Sequence, residues 1–414
     1  MTKLLRLACL SLLALVTGCS TPATTRPDAR TPLLLVSIDG FRADYLDRGD
    51  SPTLQALAAE GVRGDGLQPS FPSLTFPNHY SLVTGRYPDH HGIVDNAMTV
   101  PGLGRFTLAN RAAVSDGRWW DQAEPIWVSA DRQGVRTATM FWPGSEAPIR
   151  GRRPDHWLVY DGDMPYDARV DQALHWLDLP AAQRPGFLTL YFEAVDTAGH
   201  YHGPDSAQTD AAIAQVDHAI ARLVAGLRQR GLYDRVNLIV LADHGMAATP
   251  PNQRIFLDDL VDPSHMQMVS EGAIAGIVPA PGHEDEVAAA LLKPQPHMQC
   301  WRKADIPPHL HYGHNERVPP LFCLARVGWL ITRNRGTVLH HGKAILGEHG
   351  FDNADPRMRA LFVAHGPAFR SHARMPVFPN VDVYPLMTHL LGIRPQPGDG
   401  HYADVADMLV PAAR

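Results

Sequence analysis

Cysteines, charged residues and long apolar stretches are all scarce in this sequence of 414 residues. It contains four cysteines, 19% charged residues and 8% aromatic residues. Lysine and arginine (37) are outnumbered by aspartate and glutamate (43), and the resulting net charge of −6 argues against a partner that is a nucleic-acid polymer. The apolar run from Leu7 to Val16 is shorter than the roughly 20 residues that a membrane-spanning helix needs. The composition also excludes a disordered chain, a collagen and a coiled coil.

Hydrophobic residues and histidines are, by contrast, plentiful. Hydrophobic residues make up 45% of the chain, which is enough for a large buried core. There are 22 histidines, and histidine is the side chain most often used to bind metals and to transfer protons. A globular enzyme is therefore the first expectation.

The first 31 residues have the pattern of an export signal followed by a tether. Residues 1–18 combine an early positive charge with the apolar run, as a secretory signal does. Val16-Thr17-Gly18-Cys19 resembles a bacterial lipobox, so we expect lipidation of Cys19; an ordinary signal peptide with a chance cysteine is the alternative. Residues 19–31 then form a flexible tether. These features predict an exported lipoprotein, anchored to a membrane in the periplasm or cell envelope, and Ser20 favours the outer membrane in a Gram-negative host.

Two cysteines remain in the body of the chain. Cys9 lies in the signal and Cys19 is the expected anchor, which leaves Cys300 and Cys323. An even pair in an oxidising compartment predicts a disulfide, which would stabilise the fold by about 3 kcal/mol on a chain-entropy estimate. Two unrelated buried thiols are the alternative.

Short apolar runs that end in polar clusters indicate an α/β fold. The predicted strands are residues 33–38, 187–192, 236–241 and 361–364, and the predicted helices between them are 51–61, 167–177 and 210–230. Strands that alternate with helices predict a mostly parallel central sheet sandwiched by helices. Functional residues of such sheets lie at the carboxyl ends of the strands, where these clusters fall.

One stretch breaks this alternation. Residues 262–335 contain a strand candidate (273–278), a helix candidate (285–292) and a second strand candidate (326–332), with a loop rich in proline and histidine and the cysteine pair. We predict a small α+β subdomain, inserted into a catalytic domain formed by residues 32–261 and 336–414.

Three carboxylates and three imidazoles follow the predicted strands or lie in adjacent loops. They are Asp39, Asp196, His200, Asp243, His244 and His349. Each alone has an ordinary explanation, such as a helix cap or a surface histidine. Together they suit zinc or a similar divalent transition metal, and six ligands are enough for two ions. Two ions about 4 Å apart can support phosphoryl transfer.

The loop SFPSLTFPNHY at residues 70–80 holds a candidate nucleophile. Prolines 72 and 77 constrain the chain around Thr75, whose hydroxyl needs a base or a metal to become reactive. The alternative is that Thr75 caps a helix, and one residue can serve both purposes.

The motifs resemble those of the nucleotide pyrophosphatase/phosphodiesterase family of the alkaline phosphatase superfamily. They are IDGFR at 38–42, LTFPNHY at 74–80, VTGRYPDHHGIVDN at 83–96, DTAGH at 196–200, DHGM at 243–246 and GEHGFDN at 347–353. They stand in the family order and cover nearly the whole chain, from about residue 33 to 391. The resemblance implies an alkaline phosphatase-like fold and two zinc ions per chain.

The resemblance also assigns roles. Thr75 looks like the nucleophile that forms a covalent intermediate, with Asp39, Thr75, Asp243 and His244 as ligands of one zinc. The ligands of the second zinc would be Asp196, His200 and His349. Asn96 looks like the residue that binds a non-bridging phosphate oxygen, with the Phe76 backbone N–H as a second donor. The neighbouring histidines at 79, 90 and 91 would support the fold.

The substrate site is implied in the same way. Asn96 is neutral, which suits the single charge of a diester, whereas a monoesterase would be expected to place an arginine there. Phe76 and Tyr191 would flank a nucleobase, with Leu108 and Tyr160 at corresponding positions; for these residues, plain core packing is the alternative.

The expected reaction is hydrolysis of nucleotide phosphodiester or phosphoanhydride bonds, for example of a nucleoside triphosphate to the monophosphate and pyrophosphate. A phosphodiesterase for lipid head groups such as glycerophosphocholine is the runner-up. A zinc-stabilised surface lipoprotein that binds ligands without turnover is a third reading. A sulfatase is disfavoured, because the C/S-x-P-x-R motif is absent around Thr75.

Overall fold

The computed structural model describes residues 31–333, 339–340 and 343–411. The described strands are β1 (Leu33–Ile38), β2 (Val62–Gly64), β3 (Leu67–Gln68), β4 (Ala97–Val100), β5 (Gly104–Thr107), β6 (Thr137–Met140), β7 (His156–Trp157), β8 (Phe187–Phe192), β9 (Asn237–Leu241), β10 (Ala247–Ala248), β11 (Arg254–Phe256), β12 (Met266–Met268), β13 (Ile274–Pro279), β14 (Met298–Arg302), β15 (Leu321–Ala325), β16 (Leu330–Thr332), β17 (Leu339–His340), β18 (Lys343–Ala344), β19 (Gly347–Glu348), β20 (Phe362–His365), β21 (Ala373–Met375) and β22 (Phe378–Pro379). The described α-helices are α1 (Pro52–Glu60), α2 (Thr75–Thr84), α3 (Pro88–His91), α4 (Arg111–Val114), α5 (Ile126–Arg132), α6 (Tyr166–Asp178), α7 (Ala194–His202), α8 (Ala207–Gln229), α9 (Glu284–Leu291) and α10 (Val383–Leu390).

An eight-stranded sheet in the order β21-β2-β20-β9-β1-β8-β6-β7 organises the molecule. Strand β1 pairs in parallel with β8 on one side and β9 on the other, and β6 and β7 continue the parallel set. All six residues of β1 are buried, as expected for a central strand covered on both faces. Helices pack against the sheet, including the 23-residue α8, which begins where the Ser206 hydroxyl accepts a hydrogen bond from the Thr209 N–H. The predicted α/β class with a mostly parallel sheet is confirmed.

One predicted strand runs against the others. Strand β20 pairs antiparallel with both β9 and β2. Its last residue, His365, therefore lies at the edge of the sheet opposite the carboxyl ends of β9 and β1, where it stacks on Tyr233 at 4.4 Å between ring centroids. The expectation that this fourth polar cluster lies with the others is wrong, because a buried apolar run has the same pattern in either direction.

Residues 262–335 contain a second, smaller sheet. Its four strands are antiparallel in the order β12-β13-β15-β14, and α9 lies within one residue of the predicted helix. The predicted strand at 326–332 is shorter in the structure, and as β16 it pairs in parallel with β11, outside the predicted insertion. Cys300 and Cys323 face each other on β14 and β15 and form a disulfide. The insertion boundaries stay a prediction, and residues 334–338, which include the boundary at 335/336, lie outside the described residues.

The predicted export signal lies outside the described residues. The same is true of Cys19 and of the tether at 19–31, except for its last residue. In the part of the chain that the structure describes, no helix is both long and apolar enough to cross a bilayer.

Candidate active site

The three central strands deliver polar residues to one edge of the sheet. Asp39 follows β1, Asp243 and His244 follow β9, and Asp196 and His200 lie on α7, which begins two residues after β8. Because β8, β1 and β9 are neighbours and parallel, their carboxyl ends meet, as the alternating pattern predicts.

A first group surrounds Asp39. The Nε2 atom of His244 lies 3.5 Å from Asp39 Oδ1 and 3.0 Å from Asp243 Oδ2. The Tyr191 hydroxyl donates a hydrogen bond of 2.6 Å to Asp39 Oδ2. Asp39, Asp243 and His244 are all buried. This group is therefore shielded from solvent and already oriented.

A second group consists of Asp196, His200 and His349. His200 Nε2 lies 3.4 Å from Asp196 Oδ2, and His349 Nε2 lies 3.6 Å from Asp196 Oδ1. His349 follows β19, which pairs with β10 just after the Asp243-His244 turn, so a two-stranded ribbon carries His349 to this edge. The His244 and His349 rings stack at 3.6 Å, and the two groups therefore adjoin.

The three imidazoles are oriented in the same manner. The Nδ1–H groups of His200, His244 and His349 each donate a 2.9 Å hydrogen bond to a backbone carbonyl, of Gly347, Gly245 and Ser73 respectively. A carbonyl oxygen can only accept, so in the neutral imidazole the lone pair is on Nε2, which faces the carboxylates. Histidines that bind metals are commonly held in this way.

The carboxylates also fit cations. Within the described residues, Asp39 Oδ1, Asp196 Oδ1 and Asp243 Oδ2 are buried without a hydrogen-bond donor. Buried acceptors without partners are unfavourable, and a cation would satisfy all three. Burial, together with the charges of Asp243 and Asp196, raises the pKa of Asp39 well above its ordinary value, which a nearby cation would oppose. Groups within this set bring one donor atom from each residue within 4.8 Å of the others, so the site could bind metal.

Thr75 is the first residue of α2. The cap residue is Leu74 with extended backbone, and the Thr75 hydroxyl lies 3.2 Å from His244 Nε2. The alternative that Thr75 caps the helix is therefore wrong: its side chain points to the first group. At this position Thr75 is 7% exposed, which leaves its oxygen accessible only from the site.

Asn96 lies near Thr75, and its side chain is bonded to the residue that follows Thr75. The Phe76 N–H donates a 3.0 Å hydrogen bond to Asn96 Oδ1. In this structure the N–H that is expected to be a second phosphate donor is therefore bonded to Asn96, and its role toward a phosphate stays a prediction. The bond orients the Asn96 amide, whose Nδ2 has no acceptor among the described residues.

The expected nucleobase residues line a cavity of about 140 Å³ beside Thr75. Phe76, Leu108, Tyr160 and Tyr191 all contribute to its wall. Leu108 and Tyr160 are 39% and 38% exposed, which argues against plain core packing for these two. Tyr191 and Tyr160 lie 6.2 Å apart between ring centroids.

The wall also contains residues that sequence reasoning missed. Phe141 and Trp142 directly follow β6, and the ion pair between Arg111 and Glu146 lies on the same wall. The short run TATM of β6 is not among the predicted strands. Since β6 pairs in parallel with β8, its carboxyl end lies at the same edge of the sheet, and a strand predicted here would have placed Phe141 at that edge.

The neighbouring histidines have structural partners. His79 lies between the Ser37 hydroxyl (2.8 Å) and the Thr75 carbonyl (2.9 Å), with its Nδ1 3.3 Å from Asp243 Oδ2. His90 pairs with Asp399, and His91 with Ser81.

Comparison with known proteins defines the class. A family model described as "Type I phosphodiesterase / nucleotide pyrophosphatase" matches residues 33–352. An uncharacterized pyrophosphatase/phosphodiesterase of Schizosaccharomyces pombe is 39% identical over 388 residues, which cover 90% of this chain and 79% of that protein. A bis(5'-adenosyl)-triphosphatase of Xenopus laevis is 38% identical over 384 residues, 92% of this chain and 82% of that protein.

A solved structure agrees with these relatives. It is an inactive threonine-to-alanine variant of murine ectonucleotide pyrophosphatase/phosphodiesterase 5 in complex with AMP. It has a TM-score of 0.88 and 35% identity, covering 92% of this chain and all of that one. Fold, site and relatives together define a hydrolase of phosphodiester or pyrophosphate bonds. The chain belongs to the type I phosphodiesterase/nucleotide pyrophosphatase family.

Proposed function

We propose that this protein hydrolyses nucleotide phosphodiester and phosphoanhydride bonds through a covalent intermediate on Thr75, with two zinc ions as cofactors. The observation that carries the proposal is the position of the Thr75 hydroxyl, 3.2 Å from His244 Nε2 and next to three carboxylates that each have a buried oxygen without a donor. A binding protein without turnover has no need of a buried hydroxyl at this point.

Two sets of residues would hold the metals. Asp39, Thr75, Asp243 and His244 would bind one ion, and Asp196, His200 and His349 the other. Mixed carboxylate and imidazole donors suit zinc. When bound, the two ions would supply Lewis acidity and neutralise negative charge at the phosphate.

The residues of this chain would carry the rest of the reaction. Thr75 Oγ1 bonds to phosphorus as the bond from phosphorus to the leaving oxygen breaks, and the hydroxyl proton passes to solvent. Water then cleaves the threonyl ester and restores the hydroxyl, so that one water is consumed in each turnover. Asn96 Nδ2 would donate to a non-bridging oxygen, and since the amide is neutral it adds no preference for the second charge of a monoester.

The nucleotide would place its base in the aromatic cavity. The exposed faces of Leu108 and Tyr160 and the ring of Phe76 offer apolar area for a purine or pyrimidine. The relatives named above, a diadenosine triphosphatase and a protein in complex with AMP, support nucleotides as the substrate class.

Thr75 variants test the mechanism. We expect purified protein without residues 1–19 to hydrolyse bis-p-nitrophenyl phosphate far faster than p-nitrophenyl phosphate, and a chelator to abolish the activity. Thr75→Ala should lose at least a thousandfold in kcat, whereas Thr75→Ser keeps a hydroxyl and should retain measurable activity. Full activity of Thr75→Ala, or a preference for the monoester, would refute the proposal.

We also propose that the protein is exported and lipidated at Cys19. The disulfide between Cys300 and Cys323 supports this, because structural disulfides persist in oxidising compartments. Cys19→Ser should move the protein from the membrane fraction to the soluble fraction. Unchanged membrane association of this variant would contradict the proposal.

A further inference from the structure

A second cavity, of about 530 Å³, adjoins the candidate active site. Its lining includes Asn96, His200 and His349 of the site, together with Arg105 and Arg333. We call it the arginine cavity. Leu108 lines both cavities, so the two adjoin at this residue, with Thr75 on the wall of one and Asn96 on the wall of the other.

The two arginines bond to the same short stretch of backbone. Arg105 Nη2 donates to the Val269 carbonyl at 3.4 Å, and Arg333 Nη2 donates to the Met268 carbonyl at 3.2 Å. These carbonyls belong to consecutive residues, whose Cα atoms are about 3.8 Å apart. The contacts therefore hold both arginine side chains on one short piece of backbone, and both line the cavity.

Among the described residues, neither guanidinium is paired directly with a carboxylate. In the described parts of the chain, no carboxylate lies within ion-pairing distance of Arg105 or Arg333, whereas Arg111 at the aromatic cavity pairs with Glu146. Two guanidinium groups that line one cavity give it positive charge, which attracts an anion. Guanidinium groups present several N–H donors in a planar fork that matches phosphate oxygens.

The carboxylates that line the same cavity have other partners. Asp95 accepts from the Ala97 N–H, and Glu271 Oε2 accepts from the Thr332 hydroxyl. Glu348 is buried beside His200 and His349, 3.7 and 3.8 Å from their nitrogens. None of these three forms an ion pair with the two arginines, and only Asp95 is near enough to Arg105 for the positive charge to oppose the burial that raises the pKa of Asp95.

We propose that Arg105 and Arg333 bind the phosphate groups of the leaving group, so that the enzyme favours substrates whose leaving group is itself a phosphate or polyphosphate. This inference rests on the proposed function, because it places the cleaved bond between the two cavities. A nucleoside triphosphate or a dinucleoside polyphosphate would extend from the aromatic cavity, past Thr75 and Asn96, to the two guanidinium groups.

Two substrates with different leaving groups test this assignment. ATP releases pyrophosphate, whereas p-nitrophenyl thymidine 5'-monophosphate releases a group without phosphate. The quantity to compare is the ratio of kcat/KM for the two substrates. We expect Arg105→Ala and Arg333→Ala each to lower the ratio about tenfold and the double variant about a hundredfold, as for the loss of charge-assisted hydrogen bonds.

Control variants separate this effect from general damage. Arg222→Ala removes an exposed arginine on α8 that pairs with Asp171, and should leave the ratio as it is. Replacement of both cavity arginines by lysine keeps the charge but not the fork, and should fall between the wild type and the double alanine variant. Pyrophosphate binding to zinc-loaded protein, measured by calorimetry, gives a readout without turnover and should weaken at least tenfold in the double alanine variant.

The outcomes are distinct. If the ratio and the affinity for pyrophosphate stay unchanged in the double alanine variant while the wild type cleaves the nitrophenyl ester, the arginine assignment is wrong and the proposed function stands. If the wild type cleaves neither substrate, the proposed function fails, and unchanged pyrophosphate binding in the variant would then overturn the arginine assignment as well.

Discussion

Removal of one hydroxyl group, in Tyr191→Phe, probes how the protein prepares its metal site. The Tyr191 hydroxyl donates to Asp39 Oδ2 at 2.6 Å, within the range of strong O–H···O⁻ hydrogen bonds. Asp39 is 2% exposed, so solvent cannot take over this bond. The phenylalanine ring keeps the contact surface of the aromatic cavity, and the change is therefore confined to the orientation of Asp39.

The expected loss follows from the hydrogen bond. A hydrogen bond to a charged group contributes about 1.5–3 kcal/mol, and about 1.4 kcal/mol corresponds to a factor of ten. We therefore expect Tyr191→Phe to weaken zinc binding by roughly 10- to 100-fold, as is common when a partner of a metal ligand is removed. The loss in activity at limiting zinc should be similar, and excess zinc should restore most of it.

The assay is a competition between metal-free protein and a fluorescent zinc chelator, followed by activity measurements across a zinc titration. Tyr160→Phe is the matched control, because Tyr160 lines the same cavity and no hydrogen bond joins it to Asp39 in the described structure. Its zinc affinity should equal that of the wild type. Unchanged or tighter zinc binding in Tyr191→Phe would refute the reasoning, as would a loss of activity that zinc cannot rescue.

Three further predictions follow from the same structure. Asn96→Ala should lower kcat for diesters about a hundredfold, because it removes a donor to the developing negative charge, and full activity would exclude this role. Replacement of Cys300 and Cys323 by alanine should lower the free energy of unfolding by about 3 kcal/mol in denaturant titrations, and no change would contradict the loop-entropy argument. Burial lowers the pKa of His91 to about 3, so the unfolded chain binds a proton below about pH 6.5 that the folded protein does not. The wild type should therefore lose about 1.6 kcal/mol between pH 6.5 and 5 relative to His91→Asn, and parallel pH profiles would show that His91 does not titrate in this manner.

Strands in the centre of the sheet were predictable because their signal is local. The runs at 33–38 and 187–192 coincide with β1 and β8, and the run at 236–241 differs from β9 by one residue. Since a buried parallel strand must be apolar on both faces, such runs are continuous and their ends are sharp. The polar residues that follow them could then be placed at one edge of the sheet before any contact was known.

Direction and pairing were not predictable in this way. Strand β20 has the same apolar composition as its neighbours, but runs opposite to them and takes His365 away from the site. The hydrogen bond from the Phe76 N–H to Asn96 joins residues 20 positions apart, and a motif cannot show that one expected donor is bound to the other. Both depend on the relative positions of elements, which local periodicity does not contain.

The sequence by itself determined the α/β class, the family and the set of carboxylates, imidazoles and the threonine hydroxyl that this edge of the sheet presents. Only the tertiary structure decided which residues are brought together: Tyr191 and Asp39, His349 and the α7 pair, and Arg105 and Arg333, which are 228 positions apart in the chain but line one cavity. The physical reason is that an apolar run or a motif reflects the burial and the backbone conformation of its own residues. A cavity wall, by contrast, is formed by segments that are distant in the sequence, and the type of a side chain does not identify the residues that it will contact.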